Sequence, residues 1–299
     1  MLARTRLIRG TARRAPTHLG GALCCALSIA IGWSQATFAA TPPSPVTAAT
    51  LARTTSPEPF LALAFVSDTR LLALSASTVM LLRTDVPELT SVVHLALDGP
   101  LQAVRAPAGL LVVDPESDAA WIVTNRSVRT WLVAWSDDRL SLRAEAEAAP
   151  VPGSKRALRY REGTNWIEGS VPHLGSGPFL AIELAERDWA VTTSARLLST
   201  NAKATREEGE RPRVGPTLAA LWPGWVAAST DHRPGSGDAL LILARHKGAV
   251  REVAALPTDE SIRALASRRV GTHMRLAVAS ETAAGATRLI LLELKRSEP

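Results

Sequence analysis

The chain has 299 residues, 34 basic and 28 acidic side chains, a net charge of +6 and two cysteines. Five arginines and both cysteines lie in the first 40 residues, which contain no acidic residue, so the rest has 29 basic against 28 acidic side chains. That balance offers no basic stripe to neutralise phosphates, which argues against a nucleic-acid binder, and a chain without cysteine has no disulfide and no thiol nucleophile.

The N-terminus has the layout of a signal peptide over residues 1–39. Arginines precede an apolar segment from Leu19 to Trp33, and small residues follow up to Ala40. The apolar segment is about 15 residues long, shorter than the roughly 20 that a membrane-spanning helix needs, so an uncleaved anchor is the weaker alternative. We expect cleavage after Ala39, or else after Ala36. The mature protein would then leave by the general secretory route, without a membrane span, for the periplasm or the cell exterior.

Residues 40–58 are rich in proline and threonine and predict an extended linker. From Pro59 onward, apolar runs of four to nine residues alternate with Gly, Pro, Asp and Ser, as in "FLALAFV", "RLLALSA" and "LTSVVHLAL". Runs this short and this closely punctuated are typical of antiparallel strands. The sequence therefore predicts one all-β domain over residues 59–299.

Several of these runs are apolar at consecutive positions: "LLVV" at 110–113, "LLIL" at 240–243 and "LILLEL" at 289–294. A strand with one solvated face would alternate, so both faces of these strands should be covered. A propeller blade lies between two other blades, whereas a sheet of a sandwich has one covered face. The pattern favours a β-propeller of about five to seven blades, each a four-stranded antiparallel sheet.

A weak internal repeat supports the same fold. The segments "LALAF" at 61, "LQAVRA" at 101, "ALRYRE" at 157, "TLAALW" at 217 and "SIRALAS" at 261 resemble openings of successive units, and the long stretch 157–216 has room for one more. The final unit ends one strand short of a four-stranded blade. We expect part of Val46–Ala52 to supply that strand and close the ring.

Residues 217–245, "TLAALWPGWVAASTDHRPGSGDALLILAR", and 261–294, "SIRALASRRVGTHMRLAVASETAAGATRLILLEL", resemble the secreted bacterial propellers of the FG-GAP or VCBS repeat type. The resemblance covers residues 59–294 in layout and implies a propeller built from such units. The aspartate-rich calcium loop of that family is absent, because "SRRVGTH" at 267–273 and "PG" at 223–224 occupy its place. The resemblance therefore implies no calcium site.

The Asp231-His232 pair lies in a loop rich in Gly and Pro, "TDHRPGSGD", and aligns with a hairpin connection of the last unit. Such a loop needs no catalytic explanation, because these residue types supply turn geometry. Asp114, Glu116 and Asp118 have the one-three-five spacing of a calcium loop. They lack its glycine turn and its later bidentate acid, so a polar hairpin is the better interpretation.

The tryptophans offer the other candidate site. Trp121 and Trp131 lie within apolar runs and should pack in the core, whereas Trp222 and Trp225 flank a Pro-Gly turn and are predicted to form an exposed platform for a ligand or partner. The mature histidines occur singly, and no pattern calls for a cofactor.

Three functions remain open from the sequence. The first is a non-enzymatic envelope propeller that binds another protein, and the second is a carbohydrate-binding or sensing module that uses Trp222 and Trp225. The third is a hydrolase whose acids, such as Glu162, Glu168 or Asp188, converge only in three dimensions. Several acids in one pocket would favour the enzyme, and exposed indoles would favour the sugar binder.

Overall fold

The computed structural model describes residues 46–297 apart from gaps at 98–100, 115–116, 128, 145–147, 152–155, 173, 185–187, 202–203, 208–212, 231–236, 247–248 and 283–284. These residues belong to one compact unit and form 24 strands joined by turns. Within the described part of the chain, no helix is long and apolar enough to cross a bilayer. The prediction of an all-β domain is confirmed.

Four separate antiparallel sheets have four strands each. The first contains β2 (Phe60–Ser67), β3 (Arg70–Ser75), β4 (Thr78–Arg83) and β5 (Thr90–Ala96). The second contains β6 (Gly109–Asp114), β7 (Ala119–Thr124), β8 (Trp131–Ser136) and β9 (Arg139–Ala144). The fifth contains β18 (Val214–Ala220), β19 (Trp225–Thr230), β20 (Asp238–His246) and β21 (Ala249–Thr258). The sixth contains β22 (Ser261–Val270), β23 (His273–Glu281), β24 (Thr287–Arg296) and the N-terminal β1 (Val46–Ser56).

The third and fourth units are joined in one longer sheet. The third is β10 (Ala149–Pro150), β11 (Ala157–Tyr160), β12 (Ile167–Val171) and β13 (Gly175–Ser176). The fourth is β14 (Phe179–Glu183), β15 (Trp189–Thr192), β16 (Leu197–Asn201) and β17 (Ala204–Glu207). A single residue pair, Ile167 with Phe179, connects β12 to β14. The sheet therefore divides at this pair, and the ring has six units.

The consecutive apolar runs split between two inter-sheet cores. In β20, Leu240 and Ile242 belong to the core between the fifth and sixth sheets, while Leu241 and Leu243 face the fourth unit. Residues 110–113 of β6 divide in the same way, between the core with the third unit and the core with the first sheet. Successive strand side chains point to opposite faces, so a run without alternation marks a sheet covered on both faces. The protein is a β-propeller.

The ring closes through the N-terminal strand. β1 pairs antiparallel with β24 from Val46 opposite Arg296 to Ser56 opposite Thr287, with an irregularity at Thr50 and Ala52. Ala52 is buried in the core between the first and sixth sheets. Part of the predicted linker is thus a regular strand, and it is the strand that the last unit was expected to borrow.

The predicted unit openings match the structure in part. The openings at 61, 217 and 261 fall on β2, β18 and β22, the first strands of their sheets. The opening at 101 is wrong, because β6 begins only at Gly109. The missing unit sits inside 157–216 as expected, and β14 is its first strand. These first strands surround a central channel.

Candidate functional site

The candidate site lies where the turn after β7 meets its neighbours in the first sheet and the third unit. Arg126 Nη1 donates to the Ala76 carbonyl at 2.8 Å, and Asn125 Nδ2 donates to the Thr164 carbonyl at 3.0 Å. Asn125 also bonds Ala106 and Ala108 at 2.9 Å each. The buried side-chain amide of Asn125 thus bonds backbone groups of residues 106–108 and of Thr164. These bonds fix the two loops relative to the turn after β7.

A polar cavity of about 420 Å³ opens beside these loops. Its walls are the end of β7 with the turn up to Thr130, and the β11–β12 hairpin with Tyr160, Glu162 and Glu168. Thr124 is 2% exposed, and its hydroxyl has no hydrogen-bond partner among the described residues. A buried hydroxyl left unbonded is costly, so this wall has spare capacity to bind a polar group.

Two arginines, Arg159 and Arg161, line the cavity, and we call them the arginine face. Arg126 and Arg129 lie in the adjoining turn but are not lining residues, and the Arg126 guanidinium donates to the carbonyls of Gln102 and Ala76. Arg159 Nη2 is 3.5 Å and Arg161 Nε is 3.8 Å from the two oxygens of Glu168. A single carboxylate therefore serves two guanidinium groups whose side chains are 61% and 55% exposed. Glu162 balances the charges that line this cavity, and Arg156, just before β11 on the other side of the hairpin, leaves the arginine face with an excess of one positive charge.

The hairpin also borders a second cavity, of about 490 Å³, on the side of Arg156 and Ser170. Arg156 Nη1 donates to Ser170 Oγ at 2.7 Å, and Arg161 and Glu168 line both cavities. The Arg161 guanidinium lies 5.6 Å from the ring centroid of Trp166, a distance at which a cation and an indole attract each other. The side chains that a partner would meet are thus held by the hairpin itself.

The predicted exposed indole platform is wrong. Trp222 is 6% exposed and packs in the core between the fifth and sixth sheets. Trp225 is half-buried at the edge of this core. The ring centroids of Trp222 and Trp225 are 5.6 Å apart, and their planes meet at 81°. The Arg296 guanidinium is 5.9 Å from the Trp225 centroid. Gly224, with a φ of +76°, supplies the left-handed conformation of the turn between the two indoles. Because Trp222 is buried and Arg296 lies against Trp225, the two rings do not form an exposed platform.

The calcium-like spacing falls in the β6–β7 hairpin, as the polar-turn interpretation expects. Asp114 ends β6 and accepts a hydrogen bond from Ser117 Oγ at 2.6 Å, while Asp118 precedes β7. Glu116 lies outside the described residues. Within the part of the chain that is described, no three His, Cys, Asp or Glu side chains gather as a metal site would require.

The structure describes some of the remaining site residues that the sequence suggests. Asp231 and His232 lie outside the described residues, and the strands on either side of them, β19 and β20, pair antiparallel. Glu162 and Glu168 line the same cavity, whereas Asp188, next to β15, does not line it. Trp131 is 1% exposed and Trp121 packs against the core of the third unit, as predicted.

The arginine face was missed although its signal is in the sequence. The segment "ALRYRE" carries it, although its similarity to the other repeats predicts only a unit opening. Side chains two apart on a strand share a face, so Arg159 and Arg161 had to lie together, opposite Leu158 and Tyr160. Their approach to the β7 turn depends on long-range packing, which no local pattern encodes.

No protein-family profile matches the chain, and no curated protein matches it. The FG-GAP or VCBS resemblance therefore stays a prediction. Among solved structures, the chain is similar to Kluyveromyces lactis Hsv2 complete loop 6CD, with a TM-score of 0.40, 12% identity and coverage of 75% of this chain and 71% of that one. A second Kluyveromyces lactis Hsv2 structure gives a TM-score of 0.37 at 12% identity, covering 75% and 72%. Kuenenia stuttgartiensis hydrazine synthase gives 0.34 at 8% identity, covering 76% and 57%.

Proposed function

We propose that this β-propeller is an exported, non-enzymatic binding module of the bacterial envelope that holds an acidic segment of another protein on its arginine face. The observation that carries the proposal is the pair of exposed arginines, Arg159 and Arg161, that line one preformed cavity and share the carboxylate of Glu168. The signal-peptide layout of residues 1–39 supports the location.

The charge of the face suits a partner rich in Asp and Glu. Arginine presents a planar fork of donors that matches a carboxylate with two hydrogen bonds, and it is enriched in protein interfaces. The mature chain as a whole is nearly neutral, so the excess positive charge on this face would orient an acidic partner toward it. The hydrogen bonds of Asn125 and Arg126 hold the loops in place before binding, which lowers the entropic cost of association.

The direct test uses a fluorescein-labelled decaglutamate peptide and the chain from Ala40 onward. Fluorescence anisotropy at low and physiological salt should show saturable binding that weakens as salt rises. The double variant Arg159→Glu/Arg161→Glu should bind at least roughly tenfold more weakly, because like charges would then face each other. The matched control is Arg139→Glu/Arg251→Glu, which reverses two exposed arginines on outer strands of other sheets.

The envelope fraction supplies the second arm. Tagged wild-type protein and the control variant should capture the same stoichiometric protein, and the arginine-face variant should lose it. Equal peptide binding by all three forms, or a partner retained by the arginine-face variant, would contradict the proposal.

A hydrolase at the same cavity is the second candidate, because Glu162 and Glu168 both line it. Most glycoside hydrolases use two carboxyl residues, one as the acid and one as the base or nucleophile. Glu162→Gln should then abolish turnover in a screen of chromogenic glycosides, while the decaglutamate affinity should not fall. No turnover by the wild-type chain would remove this candidate and leave the binding module.

A further inference from the structure

The central channel contains a cavity of about 250 Å³. Its lining includes neither Arg159 nor Arg161 of the arginine face. The first strands of five units and the β11–β12 hairpin wall it; Leu, Val, Ile and Ala are the commonest lining residues, and polar groups make up much of the surface that faces the cavity. A single water needs roughly 10–15 Å³ of such space, so the cavity has room for a ligand of several heavy atoms. Tyr160 touches both this cavity and the one at the arginine face.

One carboxylate, that of Glu183, lines this cavity. It stands at the end of β14, where its Oε1 accepts a hydrogen bond from the Ala220 amide of β18 at 3.3 Å. The Ala220 carbonyl in turn accepts a hydrogen bond from the Ser267 hydroxyl of β22. The inner edge of each first strand has no neighbouring strand to pair with. On the edge of β18, Glu183 and Ser267 therefore bond the amide and the carbonyl of Ala220.

The charge of Glu183 is not balanced from within the described residues. The other charged side chain of the channel wall is Arg263, and its Nε donates to Glu281 at 2.5 Å. No donor among the described residues reaches the second carboxylate oxygen of Glu183. Burial raises the pKa of this carboxyl to about 7, and the Ala220 hydrogen bond opposes that rise. Above neutral pH the channel therefore contains an anion that lacks a countercharge.

We propose that the channel binds a small organic ammonium, with its nitrogen donating to Glu183 and its short alkyl body against the Leu, Ile and Ala side chains of the lining. A divalent metal fits the site poorly, because Ca²⁺ takes six to eight oxygen ligands and Mg²⁺ needs near-ideal octahedral coordination. An ammonium needs a single carboxylate, and its alkyl group gains free energy by leaving water. Ligand sites of this kind combine mostly apolar walls with a few placed polar groups.

Isothermal titration of the chain from Ala40 onward with n-butylammonium chloride at pH 8.5 tests the proposal. Saturable binding is expected, with much weaker binding of n-butanol, which lacks the charge, and of tetramethylammonium, which lacks the N–H donors. At pH 5.5 the affinity should fall about 30-fold, because a carboxyl with a pKa near 7 is then only ~3% ionised.

The variant Glu183→Gln should lose at least tenfold in affinity at pH 8.5, while its binding of decaglutamate stays unchanged. The control Glu252→Gln makes the same exchange at an exposed position of β21 and should bind as wild type. If Glu183→Gln does not fold, the pH dependence and the two analogues carry the test on the wild-type chain. Absence of n-butylammonium binding, equal binding of n-butanol, or an affinity independent of both pH and Glu183 would overturn the proposal.

Discussion

The sixth sheet and the third unit are the two extremes of this ring. Strands of the sixth sheet are 9 to 11 residues long and pair almost without interruption, whereas those of the third unit are 2 to 5 residues long. The sixth sheet faces cores on both sides. The third unit instead presents arginines and borders both cavities of the candidate site.

This contrast separates the part of the ring that holds it closed from the part that meets a ligand. Long ladders with two buried faces concentrate stability, and short strands with exposed side chains open more easily. Binding residues are often placed on irregular segments that a rigid scaffold supports.

Deleting residues 46–56 should have the largest effect, because it removes β1 and exposes the edge of β24. We expect the melting temperature of the chain to fall by about 10 °C or more, since a domain of this size loses roughly 2–4 °C per kcal/mol. Differential scanning calorimetry measures the change.

A synthetic peptide of residues 44–58, added in trans, should restore much of the lost stability. The same peptide with Ala52→Asp should fail, because Ala52 is 3% exposed in the closing core. An unchanged melting curve after the deletion would show that β1 does not hold the ring closed.

Leu276→Ala and Leu158→Ala compare the two regions directly, since both leucines are fully buried. Leu276→Ala should lower the free energy of unfolding by about 2–5 kcal/mol in denaturant titrations. Leu158→Ala should lower global stability less and increase hydrogen exchange mainly in β11 and β12. Equal losses of global stability with no local change in exchange would mean that the third unit unfolds only together with the ring.

Glu183→Gln should stabilise the protein in one pH range only. The Glu183 pKa is raised from 4.5 to about 7, so between these values the folded chain binds a proton that the unfolded chain has lost. Stability therefore falls as pH rises through this window, by at most about 3 kcal/mol. Glutamine keeps an acceptor for Ala220 and cannot ionise, so the melting temperature should rise by several degrees at pH 8.

The same variant should be nearly neutral at pH 4, where the wild-type carboxyl is protonated in both states. Glu252→Gln, at an exposed position, should show no such dependence. A gain of equal size at both pH values would mean that burial of the charge is not its cause.

The sequence predicts the sheets with long strands, such as the sixth, better than the third unit. Runs such as "LLIL" and "LILLEL" indicate two covered faces because strand side chains alternate strictly, and together with the internal repeat they favour the propeller. The third unit was harder to interpret, because strands of two to five residues have too little pattern to count. Glu183 ends a run, "FLAIE", that looks like any other strand, so its place in the channel follows only from the packing of β14 against β18. The inward turn of Trp222 depends on tertiary contacts in the same way.

Glu168→Gln should have the smallest effect on stability, and it should strengthen the binding of decaglutamate. Its side chain is 35% exposed and its two arginine contacts are longer than 3.4 Å, so the loss should stay within about 1 kcal/mol. Neutralising this carboxylate removes the one acid that Arg159 and Arg161 share, so decaglutamate should bind more tightly at low salt, and the gain should shrink as salt screens it. Glu281→Gln, which breaks the Arg263 pair on the sixth sheet, is the matched control and should leave decaglutamate binding unchanged. A weaker rather than tighter complex for Glu168→Gln would mean that Glu168 orients the arginines for binding, and the face would then act through a fixed geometry instead of its excess charge.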